Sequence, residues 1–312
     1  MTHPPSLTTA DLPNGPDWPS LIAALEAGHR SPRAEVADVF LGPPERTLLS
    51  RSARIEGIGF GVKSVTIVPG NTAKKIPTIQ GAMLIFDDAD GRHLATLDSG
   101  LLTNYKTVSD SLLGAKLLAR PESRTLLIVG AGTVARSLVS AYPTIFPGLK
   151  EIQIWNRSHE NAQKLAADST SAQIPVRAVS DLKSAVSKAD IVTSATMAVD
   201  PVILGEWLTP GTHLDLIGAF RADMREVDDT AVCRAKLFVD SRDTTLDHIG
   251  ELKIPLANGA IQREDILADL YDLIAGRNDP RGAEDITLFK NGGGAHLDVM
   301  IAFALVAQTG LL

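Results

Sequence analysis

The stretch Leu126-Leu127-Ile128-Val129-Gly130-Ala131-Gly132-Thr133-Val134-Ala135 decides the fold. Four consecutive apolar residues followed by G-x-G-x-x-A predict a buried strand, a tight turn and a helix that begins near Thr133. Gly130 permits the turn, Gly132 lets the backbone approach a pyrophosphate, and Ala135 lets helix and strand pack closely. The N-terminus of such a helix points its N–H groups at an anion. Gly130, Ala131, Gly132, Thr133 and Val134 are therefore the expected cofactor-binding residues of a dinucleotide site.

The next apolar segment indicates which dinucleotide. A site for NAD needs Asp or Glu at the end of this strand to hold the ribose 2′-hydroxyl. Here the strand runs out through Ile154-Trp155-Asn156-Arg157-Ser158, with no carboxylate. The planar guanidinium of Arg157 suits a 2′-phosphate, with Asn156 and Ser158 beside it. The expected cofactor is NADPH, in preference to NADH.

Around this nucleus the chain has two textures. From about Thr47 to Ser99 it is β-rich: Phe60–Val68, Ala82–Phe86 and His93–Leu97 are separated by the turn signals Pro69-Gly70-Asn71 and Asp87 to Gly91. From about Thr125 the short apolar segments Leu126–Val129, Ile152–Trp155, Val176–Val179, Ile191–Ser194, His213–Ile217 and Leu237–Val239 alternate with helical stretches, the signature of a parallel α/β sheet. A helix over about Thr103–Ala119 joins the two. Arg263–Gly276 is expected as an amphipathic helix capped by Gly276, and an apolar helix closes the chain after Gly292-Gly293-Gly294.

Composition narrows the function further. A chain of 312 residues predicts about two domains. The net charge of −7 argues against a nucleic-acid partner, and 4% aromatic residues leave little to stack on bases. The polar segment Met1–Pro19 and the short apolar run Val299–Ala307 predict neither an export signal nor a membrane span. Cys233 is the lone cysteine, so a reducing, cytoplasmic setting is expected. No H-x-x-x-H pair predicts a metal, and no G-x-S-x-G elbow predicts a hydrolase. The acidic stretch Asp223 to Asp229 is expected to face solvent.

Several motifs together resemble the ornithine cyclodeaminase/mu-crystallin family over nearly all of the chain. They are Gly61-Val62-Lys63-Ser64-Val65, Gly100 to Thr107, Ile154 to Ala162, Gly205-Glu206-Trp207 through His213, and Phe289-Lys290 with the glycines that follow. The resemblance implies a Rossmann doubly wound parallel sheet, residues 113–290, inserted in a second α+β domain for substrate binding and dimerisation, residues 1–112 with 291–312. It also implies a homodimer. Cyclodeaminases of the family carry a catalytic Asp two residues after the glycine matched by Gly218; Phe220 stands there and cannot move a proton. Arg221 to Asp228 instead look like the mu-crystallin and ketimine reductase branch.

That branch implies NADPH-dependent reduction of a cyclic imino acid, Δ1-pyrroline-2-carboxylate to L-proline and the six-membered Δ1-piperideine-2-carboxylate to L-pipecolate. The alternatives are reductive amination of a 2-oxo acid, as in alanine dehydrogenases, and a non-enzymatic small-molecule binder. By resemblance Arg46, Lys63 and Lys106 bind the substrate, and Lys63 and Lys106 are the catalytic candidates. Lys63 lies in an apolar run, where a charge needs a partner and where burial lowers a lysine's pKa. Lys106 replaces the family's arginine, leaving a point charge without a bidentate fork; it either holds the carboxylate or donates a proton. His296 is a candidate polar group, and Asp298 falls on the family's F-K-x-x-G-x-A-x-x-D pattern, expected to cap or brace the site.

Overall fold

The computed structural model describes residues 4–169, 174–278 and 281–310. The chain divides into two compact units, Met1–Ser109 with Gly294–Leu312, and Asp110–Gly293.

The first unit is built on a six-stranded sheet. Its strands are β1 (Ser6–Leu7), β2 (Glu35–Leu41), β3 (Thr47–Ile55), β4 (Gly59–Ile67), β5 (Ile79–Phe86) and β6 (His93–Asp98). Their spatial order is β1-β6-β5-β4-β3-β2. Strands β2 to β6 form an antiparallel meander, and β1 pairs with β6 in parallel. Helix α1 (Trp18–Arg30) and the C-terminal helix (Ala295–Gln308) pack together, and the latter also lies on β3 and β4. This explains why the C-terminal helix is apolar on nearly every side: His296 through Ala302 are all buried. At Gly61 a Cβ would meet Val299 and Met83, so this glycine sets how closely helix and sheet approach.

Strand β4 shows how period two selects an inner face. Gly59, Gly61, Lys63 and Val65 are buried, while Phe60 and Thr66 are exposed. Lys63 therefore sits on the core face of a strand with neighbours on both sides.

Helix α2 (Ser99–Leu118) begins a turn earlier than the sequence suggests and carries the chain into the second unit. There, eight parallel strands form one sheet: β7 (Thr125–Val129), β8 (Glu151–Trp155), β9 (Val176–Ala178), β10 (Ile191–Ser194), β11 (His213–Leu216), β12 (Lys236–Val239), β13 (Ile266–Ala268) and β14 (Thr287–Lys290). The order is β13-β12-β14-β11-β10-β7-β8-β9. From β7 the chain steps outward to β8 and β9, then returns to build the other half from β10. The crevice between β7 and β10 is thus the switch point where open α/β sheets bind ligands. Strands β10, β11 and β14 are buried at every residue, as central parallel strands must be.

One expected helix is corrected. Arg263–Gly276 is a short 3-10 turn (Arg263–Asp265), strand β13, and a five-residue helix (Leu270–Ile274). Ile266 and Ala268 pair with β12, and Asp269 caps the helix by accepting from the Asp272 N–H. The helical spacing of the apolar residues arises from two elements placed end to end. Gly276 does adopt a left-handed φ of 67°. Among the described residues, no helix is long and apolar enough to cross a membrane.

Candidate functional site

The glycine turn lies where its sequence places it, between β7 and helix α3 (Thr133–Ile145). Gly130 has φ 124°, and a Cβ there would come within 2.6 Å of the Ala195 carbonyl, so a side chain is excluded on both counts. The Gly130 N–H donates to the Trp155 carbonyl, and the Ala195 N–H to the Val129 carbonyl, which ties the ends of β8 and β10 to the turn. A Cβ on Gly132 would meet nothing within 4 Å. Gly132 is also the N-cap of α3 and supplies no side-chain cap. The first-turn N–H groups of Thr133, Val134 and Ala135 have no carbonyl within their own helix, and the open space over Gly132 admits an anion. These features fit a dinucleotide pyrophosphate.

At the end of β8, Arg157 and Ser158 are exposed, and Arg157 makes no ion pair among the described residues. The Asn156 amide donates to the Ser158 carbonyl, holding the turn, and Ser158 is the N-cap of helix α4 (His159–Asp168) with no side-chain cap bond. The Ser158 hydroxyl thus makes no cap bond and the Arg157 side chain stands in solvent.

The charged cluster of the first unit centres on Lys63. Its ammonium is 2.7 Å from the Asp298 carboxylate, with the two side chains 7% and 1% exposed. Asp298 belongs to the C-terminal helix, so the helix–sheet packing makes the pair. Burial pushes the Lys63 pKa down, and nearby Lys106 and Arg51 push the same way, against the pull of Asp298. Burial opposes the charge on Asp298 too, but Lys63 and Lys106 hold its carboxyl below the usual range. Lys106, on α2, is 5% exposed. The His296 ring meets His29 edge-on at 5.6 Å, and burial, His29 and Lys106 hold its pKa down to about 3. His296 is therefore a neutral imidazole at physiological pH.

Sheet register extends the cluster. Across β2, β3 and β4, Asp38 pairs with Arg51 and Arg51 pairs with Lys63, so all three share one face. Arg51 also forms a 2.6 Å ion pair with Asp38. Arg51 was not among the residues expected from sequence, because the signal that finds it is the register of a hairpin. Arg46 is not brought to this cluster. It is exposed in the turn between β2 and β3, its N–H bonded to the Pro43 carbonyl. It lies five residues from Arg51, roughly 16 Å along an extended strand. The structure thus groups Lys63 and Lys106, with Asp298 and His296, and leaves Arg46 apart.

A second correction concerns Asp223 to Asp229. Asp223 is exposed, but Glu226 is fully buried. Its carboxylate accepts from the Ser194 hydroxyl at 2.6 Å, the Thr196 N–H at 2.8 Å, the Thr196 hydroxyl at 2.7 Å and the Gly218 N–H at 2.5 Å. A carboxylate bound so heavily is structural machinery, not a solvated surface charge.

A parallel sheet with a glycine turn at its switch point, inserted in the sequence of the first unit, which holds a buried lysine–aspartate pair, defines a Rossmann-type chain of the dinucleotide-binding class. Residues 51–308 match the family model described as the ornithine cyclodeaminase/mu-crystallin family. The Δ1-pyrroline-2-carboxylate reductase of Paracoccus denitrificans is 57% identical over 300 residues, 96% of this chain and 95% of that one. Among solved structures, the Thermococcus litoralis Δ1-pyrroline-2-carboxylate reductase, in complex with NADH and L-proline, superposes with a TM-score of 0.89 at 29% identity, covering 98% of both chains. An archaeal alanine dehydrogenase dimer with bound NAD gives 0.89 at 28% identity, covering 99% of this chain and 96% of that one. The chain belongs to the ornithine cyclodeaminase/mu-crystallin family.

Proposed function

We propose that this chain is an NADPH-dependent reductase of cyclic ketimine acids that converts Δ1-pyrroline-2-carboxylate to L-proline and accepts the six-membered Δ1-piperideine-2-carboxylate, giving L-pipecolate. The observation that carries the reading is the Lys63–Asp298 pair with Lys106 beside it. Burying that much charge is costly and suits a site that receives an anion. The 57% identity to the Paracoccus denitrificans reductase supports the same substrate. One extra ring methylene separates the two substrates by only about 1–3 kcal/mol in an apolar pocket.

The residues divide the work. When bound, the reduced nicotinamide supplies a hydride. Lys63 and Lys106 hold the substrate carboxylate, which orients the adjacent C=N carbon. Asp298 keeps the Lys63 ammonium aimed. The imine nitrogen must gain a proton as the carbon gains its hydride; Lys63, whose pKa is lowered by burial, is the acid best suited to give it. His296, already neutral, serves as a hydrogen-bonding group. Phe220 offers no proton transfer, which separates this chain from cyclodeamination.

The test is absorbance at 340 nm with each ketimine, NADPH or NADH, with and without ammonia. The expected result is oxidation that prefers NADPH and ignores ammonia. Turnover only with a 2-oxo acid plus ammonia would give the alanine dehydrogenase reading instead. Tight ligand binding without turnover in any combination would give the carrier reading. In the same assay Arg157→Ala should raise the KM for NADPH about tenfold or more and leave that for NADH within about twofold, as loss of a charged hydrogen-bond pair requires. Equal effects on both cofactors would remove the 2′-phosphate assignment of Asn156, Arg157 and Ser158.

The proposal includes a homodimer. Strand β2 is an edge, exposed at all seven residues, with Val36, Val39, Phe40 and Leu41 between 49% and 64% exposed. An apolar edge of this kind invites pairing with a second copy. Sedimentation should show a dimer for the native chain and a monomer for Phe40→Asp with Val39→Asp. A native monomer would refute the assignment.

A further inference from the structure

Glu226 sits at the carboxyl edge of the second unit's sheet. Its oxygens bind the residues that end or follow two adjacent strands: Ser194 and Thr196 after β10, and Gly218 after β11. A Cβ at Gly218 would lie 2.0 Å from the Thr196 carbonyl and 2.6 Å from a Glu226 oxygen, so glycine is required for the two turns to close on the carboxylate. Those turns present Met197 and Phe220, 71% and 54% exposed, on adjacent strand ends beside the β7 turn. Glu251 in turn accepts from the Glu226 and Val227 N–H groups at 2.9 and 3.0 Å. Behind the pair, the buried Lys290 ammonium donates to the Leu216 and Asn291 carbonyls.

We infer that Glu226, held by Glu251, is a positioning residue that clamps the β10 and β11 turns and so fixes the wall of the cofactor crevice where the nicotinamide end must lie. The inference rests on the dinucleotide reading of this crevice for its purpose, but the clamp itself is testable without cofactor. Gln at this position has one acceptor oxygen, so its NH2 must face a donor, either Gly218 or Thr196.

Burial, with Glu226 adding repulsion, pushes the Glu251 carboxyl up to about 7, against the pull of Lys290. Burial pushes the Lys290 ammonium down, against the pull of Glu251, Glu226, Asp240 and Asp215. A raised carboxyl pKa makes the folded chain hold a proton the unfolded chain has lost, so stability falls as pH rises from about 4.5 to about 7.

The experiment is amide hydrogen exchange on the cofactor-free protein at fixed pH, paired with NADPH fluorescence titration. In Glu226→Gln, amides at Thr196 and Gly218 should exchange about tenfold faster or more while those of β7 and β8 are unchanged, since a bond to a charged acceptor is lost locally. The NADPH dissociation constant should rise by a similar factor, with kcat at saturation changed less than about threefold. Glu251→Gln, which loses one of the two acceptors for the Glu226 and Val227 N–H groups, should also speed exchange at those two amides. Unchanged exchange at Thr196 and Gly218, or uniform acceleration across the whole sheet, overturns the clamp. Faster local exchange in Glu226→Gln, together with a native chain that never binds NADPH, would leave the clamp standing and refute the cofactor reading.

Discussion

Lys63→Ala is expected to lower turnover of the ketimine about 10²- to 10³-fold while leaving the NADPH dissociation constant within about threefold. The magnitude is that of removing one preorganised charge from a water-poor site. The selectivity follows from placement: Lys63 lies in the meander of the first unit, and the phosphate turn lies in the second. Alanine also leaves Asp298 as a buried carboxylate without its ammonium, which destabilises the chain. Lys63→Met, which fills the space of the lysine stem, should show the same loss of turnover. Steady-state kinetics with a cofactor titration decide it. Equal loss of turnover and cofactor affinity would indicate a folding defect, and turnover within threefold of native would transfer the anchoring role to Lys106.

Much of this site was legible because its signals are local. The turn from Val129 to Thr133 is a strand, a positive φ and a helix start in consecutive residues, and nothing distant is needed to make it. The segments from Leu126 to Val239 likewise became strands within a residue or two of their expected ends. The requirement that Lys63 have a partner was also legible, since a charge in an apolar alternating run must be compensated. The identity of the partner was not legible: the family pattern marked Asp298 only as capping or bracing the site, and it reaches Lys63 from the other end of the chain through helix–sheet packing.

What sequence missed is what register and burial create. Arg51 faces Lys63 because β3 pairs with β4 in one register; a shift of one residue would turn it to the other face. Glu226 reads as one acid among several from Asp223 to Asp229. Only the arrangement of Ser194, Thr196 and Gly218 around it reveals four donors converging on one carboxylate. Arg46, expected by resemblance, stands in an exposed turn away from the Lys63 cluster. The segment from Arg263 to Gly276 failed on periodicity, since Ile266, Leu270 and Leu273 match a helical face while belonging to a strand and a separate short helix.

Asp298→Ala should separate what the buried pair does for the fold from what it does for the chemistry. Removing one partner of a buried pair leaves the other charge uncompensated, and the expected loss is about 3–5 kcal/mol of stability in denaturant unfolding. Lys63, already pushed down by burial and by Lys106, loses the one neighbour that raised it. Its pKa falls further, so it sheds its charge at a lower pH than in the native chain. The substrate carboxylate then has a weaker anchor, and kcat/KM should fall about 10²-fold at pH 8. Because the missing charge returns on protonation, activity should recover in part as pH is lowered, opposite to what loss of a general base would give. The double variant Lys63→Met with Asp298→Leu tests the other half of the argument. Matched apolar groups in place of a buried pair restore stability in many proteins, so the double variant should unfold near the native midpoint yet remain inactive. Native stability in Asp298→Ala, or recovered activity in the double variant, would mean that the pair neither holds Lys63 nor serves the substrate.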